Sequence, residues 1–155
     1  MTDATYFQYC PKQIVFSKDK TKVLLAQRKD EQDYNGIFSF IGGKTEITDE
    51  SLLAGLKREK DEEIGVDAKL NICWTMSCFQ ELYRKKDGKS MVLPHHVAIF
   101  QRGEISLNGN EYAQYKWVPV NEVEFFQPAI RTTWPAVQAA LRLLPLLNSD
   151  DFAEI

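Results

Sequence analysis

The segment that most constrains this chain runs from Gly42 to Val66, where a pair of glycines leads into a run rich in carboxylates. The glycines are followed, in order, by Glu50, Arg58, Glu59, Glu62, Glu63 and Gly65. On a helix, residues three and four apart share a face, so Glu59, Glu62 and Glu63 would lie over one patch. These like charges repel, and a hard divalent cation such as Mg²⁺ would relieve the repulsion through its oxygen ligands. The run therefore predicts a metal-binding helix.

Taken alone, the mixed charges of residues 57–63 favour an ordinary solvated helix face. The glycines, Glu50 and Gly65 decide between the two interpretations, because together the segment resembles the signature of the Nudix hydrolases, G-x5-E-x7-R-E-U-x-E-E-x-G-U, with U apolar. Seven residues separate Glu50 from Arg58, as in that signature. The glycine end is one residue out of register, because six residues lie between Gly43 and Glu50.

Two interpretations account for this offset: the loop after Gly43 carries an insertion, or Asp49 takes the first acidic place. The insertion is favoured, because loops absorb an extra residue more readily than a helix rotates its side chains. A second departure is Lys60, which stands where the family has an apolar residue, four residues from both Leu56 and Ile64. We expect its stem to pack against the core while its ammonium reaches water.

Composition excludes several classes of protein. The chain has 155 residues and a net charge of −3, which predicts one domain (1–155, with a core of about 5–147) and disfavours nucleic acid as a partner. Its three cysteines form no Cys-x-x-Cys pair, so neither a disulfide framework nor a zinc site is indicated. The first residues contain no apolar leader, and no run of apolar residues is long enough to span a membrane. We therefore expect a cytoplasmic protein without membrane partners. A homodimer is compatible with these features.

Hydrophobic patterning predicts strands on both sides of the carboxylate helix. Strands are expected within 5–16, 23–28, 37–41, 68–83, 91–102 and 114–118, and helices over 50–64 and 133–147. Thr48 or Asp49 is the expected N-cap of the first helix, Gly65 its end, and the residues from Asp150 onward a frayed tail. This order fits a mixed sheet between helices. It resembles the Nudix α/β/α sandwich, an α/β fold.

The resemblance also implies a set of site residues. Gly42, through its carbonyl, and Glu59, Glu62 and Glu63 would hold Mg²⁺, with Mn²⁺ as an alternative, and Arg58 would orient Glu59. Glu50 would be a supporting acid at the start of the helix. Glu111 lies six residues before Trp117, a spacing that in some relatives marks a further acid with a catalytic and metal-binding role. A solvated loop acid is the alternative for Glu111.

Other residues are assigned to the substrate. Arg28 and Lys44 are the expected phosphate-binding residues, each otherwise a solvated cation. Phe38 and Phe40 alternate before the glycines and share one face, so they are candidates to stack on a nucleotide base, with a place in the core as the alternative. His95, His96 and the three tryptophans are interpreted as structural.

Taken together, the residues and the resemblance predict an Mg²⁺-dependent pyrophosphohydrolase. It would cleave a phosphoanhydride bond of a nucleoside triphosphate or another nucleoside diphosphate linked to X, with the small-molecule nucleotide as its partner. Lys44 directly after Gly43 resembles the triphosphate-directed branch of the family more than the ADP-ribose branch. An ADP-ribose or dinucleoside-polyphosphate hydrolase is the alternative enzyme, and a non-catalytic nucleotide-binding module is the alternative of a different class.

Overall fold

Ten strands and two α-helices make up the regular structure in the computed structural model, which describes residues 6–155. The strands are β1 (Gln8–Tyr9), β2 (Lys12–Phe16), β3 (Lys22–Arg28), β4 (Phe38–Ser39), β5 (Ile41–Gly42), β6 (Lys69–Ile72), β7 (Phe79–Arg84), β8 (Ser90–Arg102), β9 (Tyr112–Pro119) and β10 (Ala153–Glu154). The helices are α1 (Leu52–Ile64) and α2 (Thr133–Leu143), with short 3₁₀ turns at Val120–Phe125, Leu144–Leu146 and Ser149–Asp151. All ten strands join one mixed sheet, in which β8 pairs in parallel with β1 and β2 and the other strand pairs are antiparallel.

Alternating side chains on the central strands divide the core into two layers. Ile14 and Phe16 of β2 point to the side of the sheet where Val137 of α2 is buried. Val15, between them, points to the other side, where Leu56 of α1 is buried. Successive side chains of a strand face opposite ways, so an almost fully apolar strand needs cover on both faces. The helices supply that cover, and the predicted α/β/α sandwich is confirmed.

Strand register places the glycines beside the carboxylate helix. β5 pairs with β2 so that Gly42 lies opposite Lys12. Gly42 has a φ of 130°, and a Cβ on it would lie 2.3 Å from the Pro11 carbonyl oxygen, so only glycine fits this close approach. On the far side of β2, β3 pairs with β9, which brings Tyr112 opposite Arg28. The ends of these strands therefore meet along one edge of α1.

The ends of α1 differ in part from the expectation. Ser51 is the N-cap, and its hydroxyl accepts a hydrogen bond of 3.0 Å from the Ala54 amide. Thr48 and Asp49 were the expected caps and are wrong, because the Asp49 carboxylate binds Arg58 instead. Gly65 ends the helix with a positive φ of 93°, as predicted.

Two further expectations are corrected. Residues 68–83 form two strands, β6 and β7, and not one, because the chain between them turns around His96, whose Nδ1 lies 3.1 Å from the carbonyl oxygens of both Cys73 and Met76. The residues after Asp150 are not a frayed tail. β10 pairs with β6, and Ile155 is buried and exchanges backbone hydrogen bonds of 3.0 and 2.8 Å with Leu70. Residue 5, the first of the expected strand, lies outside the described residues.

Lys60 is the clearest departure at the level of one side chain. Its ammonium does not reach water: the residue is 0% exposed, and its Nζ donates to the carbonyl oxygens of Ala68 at 2.8 Å and Gly65 at 3.2 Å. Asp61 also pairs with this ammonium. The lysine therefore connects the end of α1 to the start of β6.

Within residues 6–155, no helix is long and apolar enough to cross a bilayer.

Candidate metal and phosphate site

A cleft of about 580 Å³ lies where the glycine loop, α1 and the start of β9 meet. Its walls contain seven of the residues predicted from the sequence: Arg28, Gly42, Lys44, Glu59, Glu62, Glu63 and Glu111. Arg58 lies behind the wall and contacts it through Glu59. The fold thus brings together the predicted metal, phosphate and distant-loop residues, which come from four separate stretches of the chain.

Arg58 binds two carboxylates behind the wall of the cleft. Its guanidinium forms a two-pronged bond with Asp49, with Nε–Oδ1 and Nη2–Oδ2 distances of 2.8 and 2.9 Å, and it donates to Glu59 Oε1 at 2.7 Å. This bonding lowers the pKa of Asp49 to about 2. Glu50 points outward and is exposed. Asp49 therefore takes the first acidic place beside the arginine, and the favoured interpretation, an insertion before Glu50, is wrong: the extra residue lies between Asp49 and Arg58.

Glu59 lies against the glycine loop. A Cβ on Gly43 would fall 2.1 Å from Glu59 Oε2, so the missing side chain is what admits the carboxylate. Partial burial raises the pKa of Glu59, while the bond from Arg58 opposes that rise. One oxygen is thus held by Arg58, and the other faces the glycines and the cleft.

Glu63 is the most deeply buried of the three helix carboxylates, at 3% exposure. Its Oε2 accepts from the Gly42 amide at 2.6 Å and its Oε1 from the Tyr112 hydroxyl at 2.8 Å. Burial raises the pKa of Glu63 to about 7, and the nearby Lys12 ammonium opposes the rise. The carboxylate therefore ties α1 both to the glycine loop and to β9.

Lys12 is a further cation in the cleft, beside the predicted Arg28 and Lys44. It is 8% exposed, and its Nζ donates to the Gly42 carbonyl oxygen at 2.9 Å. Burial lowers the pKa of Lys12, while the charge of Glu63 acts in the opposite direction. The available signal was a lysine two residues before the apolar run Ile14-Val15-Phe16, which places it on a central strand.

The remaining predicted residues are more open. Glu62 is exposed and makes one long contact of 3.3 Å to Arg58. Glu111 is exposed at the mouth of the cleft, as is Lys44. Arg28 is partly buried; its Nε donates to the Ser39 hydroxyl at 2.9 Å, and its Nη1 pairs with Glu31. Glu62, Glu111 and Lys44 can turn toward a substrate with little rearrangement of the core, whereas Arg28 is held by Ser39 and Glu31.

The donors fit a hard divalent cation by kind. Carboxylate oxygens of Glu59 and Glu62 and the Gly42 carbonyl are the ligands that Mg²⁺ prefers. Across the part of the chain that the structure describes, however, no three acidic, histidine or cysteine side chains converge on one point. The helix carboxylates are instead held by protein donors: Arg58 binds Glu59, and the Gly42 amide and the Tyr112 hydroxyl bind Glu63.

The expected base-stacking residues are corrected. Phe38 and Phe40 are 2% and 5% exposed and belong to the core layer under α2. Phe38 packs edge-on against Phe126, and Phe40 packs edge-on against His95, with ring centroids 5.1 and 5.6 Å apart. Neither ring face is open to a ligand. The two aromatic residues do share one face, as predicted, but that face is the interior.

Other aromatic residues line the outer end of the cleft. Tyr34 and Tyr83 stack with ring centroids 5.4 Å apart, and Asp33 accepts a hydrogen bond from the Tyr83 hydroxyl. Beside them Glu81 of β7 accepts from the Thr132 hydroxyl at 3.0 Å. No short-range sequence signal marks this group, because its members come from a loop, a hairpin strand and the approach to α2.

A model of one family matches most of the chain. The NUDIX domain model covers residues 13–141. The chain belongs to the Nudix family. The predicted family, with its MutT-like relatives, is thereby confirmed, and the glycine loop and carboxylate helix described above are the segment that carries its signature.

Three relatives illustrate the range of this Nudix chain's similarities. A CTP pyrophosphohydrolase of Escherichia coli strain K12 is 49% identical over 47 residues, which span 30% of this chain and only 34% of that protein. The MutT protein from Methanosarcina mazei Go1 has a TM-score of 0.71 at 18% identity, over 91% of this chain and 97% of that one. The NUDIX domain of Shewanella oneidensis NrtR, solved with ADP ribose, has a TM-score of 0.70 at 20% identity, over 91% and 90%. The two structures establish a shared fold.

Proposed function

We propose that this Nudix chain is a divalent-metal-dependent pyrophosphohydrolase that cleaves a phosphoanhydride bond of a nucleoside triphosphate or another nucleoside diphosphate linked to X. The observation that carries the proposal is the meeting, in one cleft, of carboxylates from α1 with cations from three other segments, Lys12, Arg28 and Lys44. A chain of phosphates needs both kinds of group: positive charge to bind it, and hard oxygen ligands for the metal that accompanies it.

Residues of α1 would hold the metal ion. Gly42 through its carbonyl, Glu59 and Glu62 are the proposed ligands, with Glu63 behind them and Glu111 reaching in from the far loop. When bound, Mg²⁺ or Mn²⁺ would neutralise phosphate oxygens and lower the pKa of a water. Glu62, the least constrained of the three helix carboxylates, is free to accept a proton from that water. Arg58 fixes Glu59, and Arg28 and Lys44 bind the phosphates.

The outer end of the cleft is suited to the nucleoside. Tyr34 and Tyr83 offer aromatic surface, and Glu81 with Thr132 offers a carboxylate and a hydroxyl at the same place. Aromatic faces stack on bases, while the polar pair can hydrogen-bond a base edge. Lys44 directly after Gly43 supports a triphosphate substrate, as does the stretch similar to a CTP pyrophosphohydrolase.

A substrate panel tests the proposal. The purified chain is incubated with Mg²⁺ or Mn²⁺ and with ordinary and oxidised nucleoside triphosphates, ADP-ribose and a dinucleoside polyphosphate, and the products are separated. Release of a nucleoside monophosphate and pyrophosphate from a triphosphate is the expected result. Release of AMP from ADP-ribose alone would select the alternative enzyme. Nucleotide binding without turnover under either metal would overturn the proposal in favour of a binding module.

A further inference from the structure

Lys12 occupies an oxygen that the proposed metal ion also needs. Its Nζ lies 2.9 Å from the Gly42 carbonyl oxygen, within hydrogen-bond distance. Register explains the contact: Lys12 and Gly42 are opposite each other on β2 and β5, and a Cβ on Gly42 would lie 3.2 Å from Lys12 Cδ. Because Gly42 has no side chain, the stem of Lys12 can lie across it.

The surroundings of Lys12 leave it few other partners in the protein. The residue is buried on the floor of the cleft, where the neighbouring acidic groups are Glu63, Glu59 and Glu31 and the neighbouring cation is Arg28. Glu59 is paired with Arg58. Both oxygens of Glu63 are already bonded, to the Gly42 amide and the Tyr112 hydroxyl. The Gly42 carbonyl is therefore where the Lys12 side chain finds its acceptor.

A metal ion and this ammonium cannot share the carbonyl without strong repulsion. Both are positive, and ligands of one oxygen lie only a few ångströms apart, in a partly buried site where charges are weakly screened. Lysine has a flexible four-carbon stem, so the ammonium can turn from the carbonyl toward another anion in the same cleft. The cleft is where the proposed function puts the phosphates of the substrate.

We propose that Lys12 is a positioning residue that holds the Gly42 carbonyl in the metal-free protein and releases it when substrate phosphates arrive. The inference rests on the proposed function for the identity of the anion. Its consequence is that metal and nucleotide bind cooperatively: the nucleotide draws the ammonium away, and the metal then gains the carbonyl. By linkage, the nucleotide must tighten metal binding by the same factor as the metal tightens nucleotide binding.

The test is a Mn²⁺ titration with and without a non-hydrolysable α,β-methylene analogue of a nucleoside triphosphate. The signal of free Mn²⁺ in electron paramagnetic resonance measures binding. In the unaltered protein, the analogue is expected to tighten Mn²⁺ binding at least tenfold. Lys12→Met keeps the stem and removes the donor. It is expected to tighten Mn²⁺ binding without nucleotide by about tenfold, and to reduce the effect of the analogue to less than about threefold.

Lys44→Met is the matched control, since it removes a cation from the exposed mouth of the same cleft. This variant should weaken the binding of the analogue but change the Mn²⁺ affinity without nucleotide by less than about threefold. Unchanged or weaker Mn²⁺ binding in Lys12→Met, or equal effects of the two variants, would overturn the inference. If Lys12→Met does not fold, as judged by its melting curve, Lys12→Gln takes its place. It also removes the positive charge and is likewise expected to tighten Mn²⁺ binding without nucleotide.

The binding measurement needs no turnover. An absence of hydrolysis in the substrate panel would therefore refute the proposed function and leave the assignment of Lys12 to be decided by the Mn²⁺ affinities.

Discussion

At the scale of single residues, the buried charges of this protein are held by specific partners and not by solvent. Lys60 was expected to send its ammonium to water, yet it bonds the carbonyls of Gly65 and Ala68. Glu63 was expected to be one of several repelling carboxylates, yet two donors share it. Removal of either charge leaves buried groups without their hydrogen-bond partners, which lowers the free energy of unfolding.

Lys60→Met is therefore expected to destabilise the protein by about 1–3 kcal/mol, because two carbonyl oxygens lose their donor and Asp61 loses one of its two lysine partners. Urea unfolding measures the change. The control is Lys57→Met on the same helix, where the side chain is 51% exposed and an effect within about 0.5 kcal/mol is expected. A gain in stability for Lys60→Met would mean that the apolar stripe outweighs these bonds.

Glu62→Gln and Glu63→Gln distinguish the effect of a helix carboxylate on turnover from its effect on stability. Both should lower turnover at least a hundredfold: Glu62 is a proposed metal ligand, and Glu63 lies behind the ligands and holds the glycine loop through the Gly42 amide. Only Glu63→Gln should also lower stability, by about 1–3 kcal/mol, because its amide nitrogen would face a donor, the Gly42 amide or the Tyr112 hydroxyl. Kinetics and thermal melting of the metal-free proteins measure the two effects. Equal melting temperatures of the two variants would contradict the structure.

His95 makes stability depend on pH. Burial between Phe40 and Phe79 lowers the pKa of His95 to about 4, from an ordinary value near 6.5. As pH falls from 6.5 to 4, the unfolded chain takes up a proton there and the folded chain does not, so the free energy of unfolding decreases. We expect a loss of roughly 2–3 kcal/mol from this residue. The measurement is the difference between the unaltered protein and His95→Gln, unfolded in urea at pH 7 and pH 4. A difference that does not change with pH would show that the folded histidine titrates normally.

At the scale of elements, the register of α1 decides which acid serves Arg58. Glu50 keeps the family spacing in sequence, but it lies before the N-cap Ser51 and points outward. Asp49, one residue earlier, turns back across the first turn of the helix and reaches the guanidinium with both oxygens. Motif spacing along a chain does not reveal in which direction a side chain at a helix start will point.

Asp49→Asn is accordingly expected to lower kcat about tenfold, because Arg58 loses its two-pronged partner and no longer holds Glu59 in place. Glu50→Gln is the matched control and should leave kcat within about twofold. Steady-state kinetics on the best substrate of the panel measures both. The opposite ranking would restore Glu50 as the supporting acid.

Most elements could be predicted from the chain, because hydrophobic alternation and glycine stops are local signals. The strands around Ile14 and Val97 and the helix ending at Gly65 are examples. What could not be predicted depends on contacts between distant segments. The direction of Phe38 and Phe40, the break around His96 and the ordered last residues are all decided by neighbours far away in the sequence.

At the scale of the whole molecule, the last residues close one edge of the sheet. Ile155 is 2% exposed in the layer under α1, and it exchanges two backbone bonds with Leu70. Ile155→Ala should therefore cost about 2–4 kcal/mol in the free energy of unfolding. Val66→Ala, at a position that is 61% exposed, is the control and should change it by less than about 0.5 kcal/mol. Equal effects would mean that the final strand contributes little to stability in solution.

The cleft described above has two ends with separate structural support. The carboxylate end depends on β2, β5 and α1, whose contacts are buried and interlocked. The tyrosine end is built from the loop around Tyr34, the edge strand β7 with the turn that follows it, and residues 130–132. Surface segments of this kind tolerate replacement far better than a packed core does. Transplanting these three segments from another Nudix protein should change which nucleoside is accepted and leave the carboxylate end as it is. The chain would then be a scaffold for engineered nucleotide hydrolases.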